Sequence, residues 1–244
     1  MAALVSPSAI SDRLLSLDFM RGLIMVLLAL ESTGLYEHLF MASIDSPLHP
    51  LSRQFFHHPW HGLRFWDLIQ PGFMYLAGIS LALSLNKQEK AGLSWKDSFI
   101  KTLKRCIWLF FWGVLNYAVT PRGLELALSN VLAQLAFTIL IAFLIFRWTP
   151  LAQIGVCVGL LLFREAIYRY SHIPGFDQPF TNQHNFGNYM ELVLVKRINP
   201  EGWVSINWIP TAVHTIAGAL TGKLLLSNGV KVKPLLIWAL SVWF

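Results

Sequence analysis

The sequence has 244 residues, of which 55% are hydrophobic and only 13% are charged, and it contains ten tryptophans. About a quarter of the residues in a soluble globular protein are charged, so this composition argues against an ordinary soluble domain and favours an integral membrane protein. The net charge is +6, but the basic residues collect in particular loops, which indicates orientation in a membrane and not nucleic-acid binding.

Long apolar runs recur along the chain, and their continuity argues against β-strands and for helices. We predict six full spans: Leu14–Tyr36, Phe65–Leu85, Ile100–Val119, Leu124–Phe146, Leu151–Tyr168 and Ile206–Leu226. A seventh begins near Pro234 and stops at Phe244, too short to cross about 30 Å of hydrocarbon at about 1.5 Å per residue. It is either a truncated span or a re-entrant segment, and we favour truncation. The predicted fold is an all-α, polytopic transmembrane helical bundle, a single domain over residues 1–244 that is C-terminally incomplete.

A basic loop between the second and third predicted spans sets the expected orientation. Its positive side chains are Lys87, Lys90, Lys96, Lys101, Lys104 and Arg105. Because positive residues near span ends mark cytoplasmic loops, we expect this loop and the N-terminus inside. The loops 39–64 and 171–205 are then expected on the outer side.

Three charged residues, Asp18, Arg21 and Glu31, fall within the first predicted span. An Asp or Arg at the centre of a spanning helix costs about 2.5 to 3.5 kcal/mol. We therefore expect Asp18 and Arg21 to pair at i,i+3 near the cytoplasmic end, and Glu31 to turn into the bundle near the outer end. The pair has two interpretations: it orients the helix at the interface, or it has a functional role.

Histidines gather immediately before the second span, where His57, His58 and His61 precede Asp67. Imidazoles exchange protons near pH 7, and ionisable groups beside a span suggest function. Pro59 argues against a regular helix that would present His57 and His61 to a metal, so no metal site is predicted. Proton-transfer catalysis is the preferred interpretation, and an interfacial polar loop is the alternative. Asp67 either offers a polar group to a cavity at this end of the span or stabilises a helix N-terminus, or does both.

Further polar residues appear later in the chain. Asn130 and Gln134 are spaced i,i+4 in the fourth predicted span and are expected to face the interior. Glu191 and Glu201, in the second outer loop, are of the kind that hold sugars. Composition alone does not assign them that role.

Small and paired residues suggest two local contacts. Gly218 and Gly222 have the four-residue spacing that permits close helix packing, to which Gly78 could also contribute. Arg164 and Glu165, near the end of the fifth span, are expected to form a local pair.

Several motifs resemble one family. The run Arg13-Leu14-Leu15-Ser16-Leu17-Asp18-Phe19-Met20-Arg21-Gly22 resembles the first-span signature of transmembrane acyltransferases related to heparan-alpha-glucosaminide N-acetyltransferase. His57 with Trp60-His61-Gly62-Leu63, followed by Asp67-Leu68-Ile69-Gln70-Pro71, is similar to that family's histidine loop and the start of its second span. Asn199-Pro200-Glu201-Gly202 resembles a later block, and the run from Asn185 to Glu191 resembles another more loosely.

The resemblance implies more spans than this chain contains, and transfer of an acetyl group from acetyl-CoA, which enters from the cytoplasm, to a sugar or glycan amine or hydroxyl presented on the other side. It assigns catalysis to His57, with His58 as the alternate, and Asp67 would orient the imidazole. His57 would act as a general base or accept the acetyl group itself.

The remaining site predictions concern cofactor and acceptor. Residues expected on the cofactor side are Asp18, Arg21, Asn130 and Gln134, and those expected near the acceptor are Glu31, His61, Glu191 and Glu201. Two positions depart from the family: Ala133-Gln134 stands where relatives commonly have Gln-Arg, and Glu31 where many have Asn or His. Expected partners are the glycan and the bilayer, with a homodimer as one possible assembly. A proton-coupled transporter or permease is the alternative function.

Overall fold

The computed structural model describes residues 14–118, 128–200 and 202–228, and every regular element within these ranges is helical. This confirms the predicted all-α fold for the described residues. Contacts between Cα atoms divide the chain into two units, Met1–Ile69 and Gln70–Phe244.

From residue 14 onward, where the structure describes it, the first unit contains three α-helices and two short 3-10 helices. The α-helices are α1 (Leu15–Ser32), α2 (Leu35–Ala42) and α3 (His49–Ser52), and the 3-10 helices are Arg53–Phe55 and Phe65–Leu68. The hydroxyl oxygens of Ser43 and Ser52 lie 2.7 Å apart and join the end of α2 to the end of α3.

The first predicted span, Leu14–Tyr36, is not a single helix. The hydroxyls of Ser32 and Thr33 donate to the carbonyls of Ala29 and Leu30 at 2.8 and 2.7 Å. Gly34 follows with a φ of +71°, a left-handed conformation that glycine adopts without a steric penalty and that ends helices. The sequence therefore forms α1, a turn and α2, and the prediction of one continuous span was wrong at this turn.

The second unit contains the longer helices. These are α4 (Ile69–Lys90), α5 (Trp95–Ala118), α6 (Val131–Leu144), α7 (Pro150–Tyr170), α8 (Phe186–Val195) and α9 (Trp208–Asn228), with a 3-10 helix at Ser205–Asn207. Helix α6 contacts both α5 and α9, and α7 contacts α9. Met74, Ile139, Phe143 and Ile216 are fully buried where α4, α6 and α9 meet.

Among the described residues, three helical segments are long and apolar enough to cross a membrane: Phe65–Lys90, Pro150–Tyr170 and Ser205–Ser227. They indicate a membrane protein, and α7 is exposed along most of its apolar length, as a lipid-facing helix would be. Helix α6 has 14 residues, about 21 Å at 1.5 Å per residue, and is shorter than the hydrocarbon core. The described part of the chain therefore does not confirm six full spans, and the segment from Pro234 lies outside it.

Helix α8 lies within the segment 171–205 that was predicted to be a loop. Its N-cap is Asn185, whose side chain accepts a hydrogen bond from the Asn188 backbone at 3.2 Å. Asn185, Asn188 and Glu191, at i,i+3 spacing, are all buried. The prediction missed this helix because its buried face is polar and gives no apolar periodicity.

The turn between α4 and α5 is defined by its sequence. Gly92 adopts a φ of +76°, and the amides of Gly92 and Leu93 donate to the carbonyls of Glu89 and Gln88 at 2.9 and 3.0 Å, as in a Schellman motif. Ser94 then caps α5, since its hydroxyl accepts from the Asp97 amide at 3.2 Å.

Side-chain hydrogen bonds of Thr149 and Gln153 stabilise the connection from α6 to α7. Thr149 caps α7 by accepting from the Ala152 amide at 3.3 Å. The buried Gln153 amide group donates to the carbonyls of Phe146 and Trp148 at 3.0 and 2.9 Å. These bonds satisfy two backbone carbonyls of the segment that connects α6 to α7.

Helix α7 also corrects one predicted pair. Glu165 accepts from Arg169 at 2.5 Å, one turn further along the helix, whereas the Arg164 guanidinium lies 5.0 Å from the ring centre of Tyr168. Residues spaced i,i+4 share a helix face and adjacent residues do not, so the prediction of an Arg164–Glu165 pair was wrong.

Glycines allow α4 and α9 to approach each other at backbone distance. A Cβ atom on Gly218 would lie 2.0 Å from the Tyr75 carbonyl oxygen, and one on Gly78 would lie 2.1 Å from that of Thr215. A Cβ on Gly222 would also meet α4, at 2.5 Å from the Ala82 Cβ. This confirms the predicted close packing through the small residues of α9.

We expect Gly218→Ala to lower the thermal stability of the detergent-purified protein, because the added methyl group must push α4 and α9 apart at a cost of about 1 to 3 kcal/mol. The matched control is Gly155→Ala in α7, where a Cβ would meet nothing within 4 Å. This substitution should stabilise the helix by up to about 1 kcal/mol, because alanine has the higher helix propensity. Equal melting temperatures for the two variants would contradict the close packing.

Candidate functional site

The Asp67 carboxylate is the centre of the histidine loop. Its Oδ1 lies 2.7 Å from His57 Nδ1, and its Oδ2 accepts from the backbone amides of Arg64 at 2.8 Å and His58 at 3.2 Å. The residue lies in the 3-10 helix Phe65–Leu68, three residues after Arg64, where a carboxylate can turn back to the first amides of a helix. One side chain thus performs both functions suggested by the sequence: it caps the helix start and it contacts a histidine.

The contact with Asp67 determines the tautomer of His57. An ionised carboxylate can only accept hydrogen bonds, so Nδ1 must carry a proton and donate it at this distance. In the neutral ring the lone pair is then on Nε2, the nitrogen able to accept a proton or attack a carbonyl. The His57 side chain is 44% exposed and that of Asp67 is 21% exposed, so the imidazole is accessible while its carboxylate partner is more enclosed.

Arg64 makes hydrogen bonds to both His57 and Asp67. Its guanidinium Nη1 donates to the His57 carbonyl oxygen at 2.9 Å, while its backbone amide donates to Asp67. Arg64 therefore contacts both members of the pair and restrains the His57 backbone. The sequence prediction did not include it, although its position three residues before Asp67 is the spacing of a helix cap.

His58, the predicted alternate, has a different environment. The Trp60 backbone amide donates to its Nδ1 at 3.4 Å, and its ring passes so close to Gly62 that a Cβ there would lie 2.4 Å from Nε2. His61 is exposed, with its ring centre 6.3 Å from that of Trp60. Asp67 contacts His58 only through the backbone, so the geometry distinguishes His57 from its neighbours.

Glu31, predicted to turn into the bundle, is exposed and accepts from Trp66 Nε1 of the same unit at 3.1 Å. Trp66 is only 3% exposed and packs edge-to-face against Tyr36, whose ring in turn stacks on Phe55 at 4.7 Å. The Tyr36 hydroxyl donates to the Leu27 carbonyl in α1 at 3.0 Å. These aromatic contacts form a packed cluster that connects α1 and α2 to the residue beside Asp67.

Asp18 and Arg21 form the predicted i,i+3 pair on α1, with 3.8 Å between Oδ1 and Nη1. Both side chains are more than a third exposed, and an exposed pair of this kind contributes little to stability. Their proposed role on the cofactor side stays a prediction.

Asn130 and Gln134 have structural partners in the second unit. Asn130 caps α6 by accepting from the Ala133 amide at 2.8 Å, and it donates to the Gly113 carbonyl at 3.1 Å. Gln134 is 2% exposed and donates to the Ser129 carbonyl at 2.9 Å. These bonds account for the interior location predicted for Gln134. They give both residues a structural role within the second unit.

Of the two outer-loop carboxylates, Glu191 is buried in α8, where it accepts from the Ser205 backbone amide at 2.6 Å. This bond fixes the 3-10 helix that precedes α9, an internal role that the sequence did not reveal. Glu201 lies outside the described residues. Asn188, one turn before Glu191, is fully buried with no hydrogen-bond partner for either amide atom in the described part of the chain.

We expect Asp67→Ala to speed backbone hydrogen exchange in peptides covering 57–64 by about tenfold or more, because the amides of His58 and Arg64 lose a charged acceptor worth about 1.5 to 3 kcal/mol per bond. Asp45→Ala removes an exposed carboxylate from the same unit and should leave exchange in this segment unchanged. Similar exchange in both variants would mean that the carboxylate does not hold the loop.

Over the described residues, no group of three or more His, Cys, Asp or Glu side chains could hold a metal ion.

Comparison with known proteins does not extend these observations. No known family model matches the chain, and no curated protein matches it either.

Proposed function

We propose that this protein is a membrane-embedded acyltransferase that moves an acetyl or similar acyl group from a CoA thioester to an amine or hydroxyl of an extracytoplasmic sugar or glycan. The observation that carries the proposal is the 2.7 Å contact between His57 Nδ1 and Asp67 Oδ1, beside an accessible imidazole. A carboxylate that fixes the tautomer of a histidine is the arrangement that general-base and nucleophilic catalysis require. The motifs that resemble transmembrane acyltransferases supply the reaction class.

In the direct path, His57 acts as a general base. Its Nε2 takes a proton from the acceptor amine or hydroxyl as the acceptor attacks the thioester carbonyl carbon. The carbon–sulfur bond then breaks, and the imidazolium returns the proton to the departing CoA thiolate. Asp67 stabilises the transient imidazolium through the Nδ1 hydrogen bond.

In the covalent path, Nε2 attacks the thioester carbonyl carbon, the carbon–sulfur bond breaks, and CoA departs as the thiolate, which leaves an acyl-imidazolium whose Nδ1 proton still donates to Asp67. The acceptor then attacks the acyl carbon and the bond from that carbon to Nε2 breaks. The freed Nε2 takes the proton that the acceptor loses and passes it to the thiolate, which regenerates the neutral histidine. Rapid quenching with donor alone separates the two paths, because only the covalent path places label on His57 before the acceptor is added.

The remaining proposed roles follow the predicted orientation, with the N-terminus in the cytoplasm and the histidine loop outside. Asp18 and Arg21 would then lie toward the side from which acetyl-CoA enters, and Glu31 and His61 toward the acceptor. Glu31 and His57 both belong to the first unit, and Trp66 joins Glu31 to the residue next to Asp67. This supports a place for Glu31 beside the reacting groups.

We expect His57→Ala to reduce acyl transfer by about 10² to 10⁴-fold, because the variant loses the group that accepts the proton or acyl group. The assay supplies radiolabelled acetyl-CoA to sealed inverted vesicles loaded with glucosamine or glucose, one amine and one hydroxyl acceptor. His172→Ala, at an exposed histidine of the second unit, is the matched control and should retain wild-type activity. Full acyl transfer by His57→Ala would refute the mechanism. Movement of a solute across the vesicle membrane by the wild type, without any labelled acyl product, would favour a transporter.

We expect Asp67→Asn to lower kcat by about 10² to 10⁴-fold with a smaller change in KM. An amide can donate to Nδ1 and so stabilise the wrong tautomer, while the residue stays close to the same size. Steady-state kinetics in the same vesicles measure both constants. A rise in KM with kcat unchanged would instead place Asp67 in substrate binding.

A further inference from the structure

A cavity of about 270 Å³ opens in the second unit, remote in sequence from the histidine loop. Its walls come from the end of α4, the start of α5, the turn between α6 and α7, and the last part of α9. The polar and aromatic residues that line it are Glu89, Trp95, Ser98, Phe146, Arg147 and Lys223. A water molecule occupies about 30 Å³ of liquid, so the cavity has room for a polyatomic group.

Two cations line this cavity, and both are held in place by aromatic or backbone contacts. The Arg147 guanidinium lies 4.3 Å from the ring centre of Trp95, and Trp95 stacks on the buried ring of Phe143 at 4.2 Å. The Lys223 ammonium donates to the Phe146 carbonyl and lies 4.4 Å from the Phe146 ring centre. Both positive charges are thus positioned without the aid of a carboxylate.

Within the described ranges, no carboxylate lies within salt-bridge distance of Arg147 or Lys223. Glu89 lines the same cavity without pairing with either cation, so the walls carry a net charge of +1 from these three groups. The same ends of α4 and α5 also carry Lys87, Lys90 and Lys96 against one further carboxylate, Asp97, so the sequence around the lining residues is net positive.

We propose that this cavity binds a phosphate group. Arginine recognises phosphate oxygens in a bidentate manner and lysine neutralises them as a point charge, so the two side chains are complementary parts of one site. Basic pockets between membrane helices bind the headgroups of anionic lipids, and a soluble phosphorylated ligand presents the same chemistry. The proposal does not rest on acyl transfer, since no residue of the histidine loop lines the cavity.

The test compares variants that remove the same charge from different places. Arg147→Gln/Lys223→Gln neutralises the cavity, whereas Lys101→Gln/Lys104→Gln neutralises two exposed cations of α5 that do not line it. Full-length protein in neutral detergent is titrated with phosphatidic acid, with diacylglycerol of the same chains, and with inorganic pyrophosphate against chloride at equal ionic strength. Ligand-induced shifts in melting temperature give the half-saturating concentrations.

We expect a phosphate-bearing ligand to stabilise the wild type and the α5 variant alike, and the half-saturating concentration to rise at least about tenfold in the cavity variant. Glu89→Gln should move that concentration in the opposite direction, because it removes the negative wall charge. A response to phosphatidic acid alone identifies a lipid headgroup, and a response to pyrophosphate as well identifies a soluble ligand.

The proposal is overturned if diacylglycerol and phosphatidic acid act equally, if neither phosphate probe shifts the melting temperature, or if both double variants lose the response to the same extent. If the cavity double variant does not fold, Arg147→Gln and Glu89→Gln are compared as single variants. The half-saturating concentration should rise in Arg147→Gln and fall in Glu89→Gln, and the absence of these opposite changes overturns the proposal.

Discussion

The Asp67 carboxylate is the constraint on which the histidine loop depends, because its two oxygens receive His57 Nδ1 and the amides of His58 and Arg64. These bonds join residues up to ten positions apart and fix the loop where it enters a helix. Trp66, adjacent to Asp67, is oriented at the same point and reaches Glu31 on α1. The chemistry proposed for His57 therefore depends on a local capping arrangement as much as on the histidine itself.

The second unit is held together differently. Hydroxyl and amide groups pair across its helices. Thr215 donates to the Thr138 hydroxyl at 3.0 Å, and Gln70 and Thr211 both donate to the side-chain Oε1 of Gln134 at 2.9 and 3.3 Å. Lipid tails supply no hydrophobic force between helices, so close glycine contacts and interhelical hydrogen bonds hold such an assembly together. These bonds give the polar residues in the apolar runs partners within the second unit.

The sequence predicted those features that depend on chain periodicity and on spacing within one segment. Apolar length predicted the helices later seen as α5, α7 and α9, and i,i+3 spacing predicted the Asp18–Arg21 pair. Gly34 was visible in the sequence, but hydropathy does not report a left-handed turn, so the break between α1 and α2 was missed.

The candidate site was predictable where its residues are close along the chain, as with His57 and Asp67. It was not predictable where a role depends on a distant partner. The environment of Glu191 depends on the amide of Ser205, and that of Glu31 on an indole 35 residues away. The cavity beside Arg147 gathers four separate segments, and no local pattern identifies such a set.

The Gln153 side chain has a consequence for the phosphate binding proposed for that cavity. Its bonds to the Phe146 and Trp148 carbonyls hold the turn on both sides of Arg147. Ordering flexible side chains and loops on association costs about 0.5 to 1.5 kcal/mol for each immobilised side chain. A turn fixed before the ligand arrives avoids part of that entropy loss, so even a small anion with few atoms to contact could be retained there.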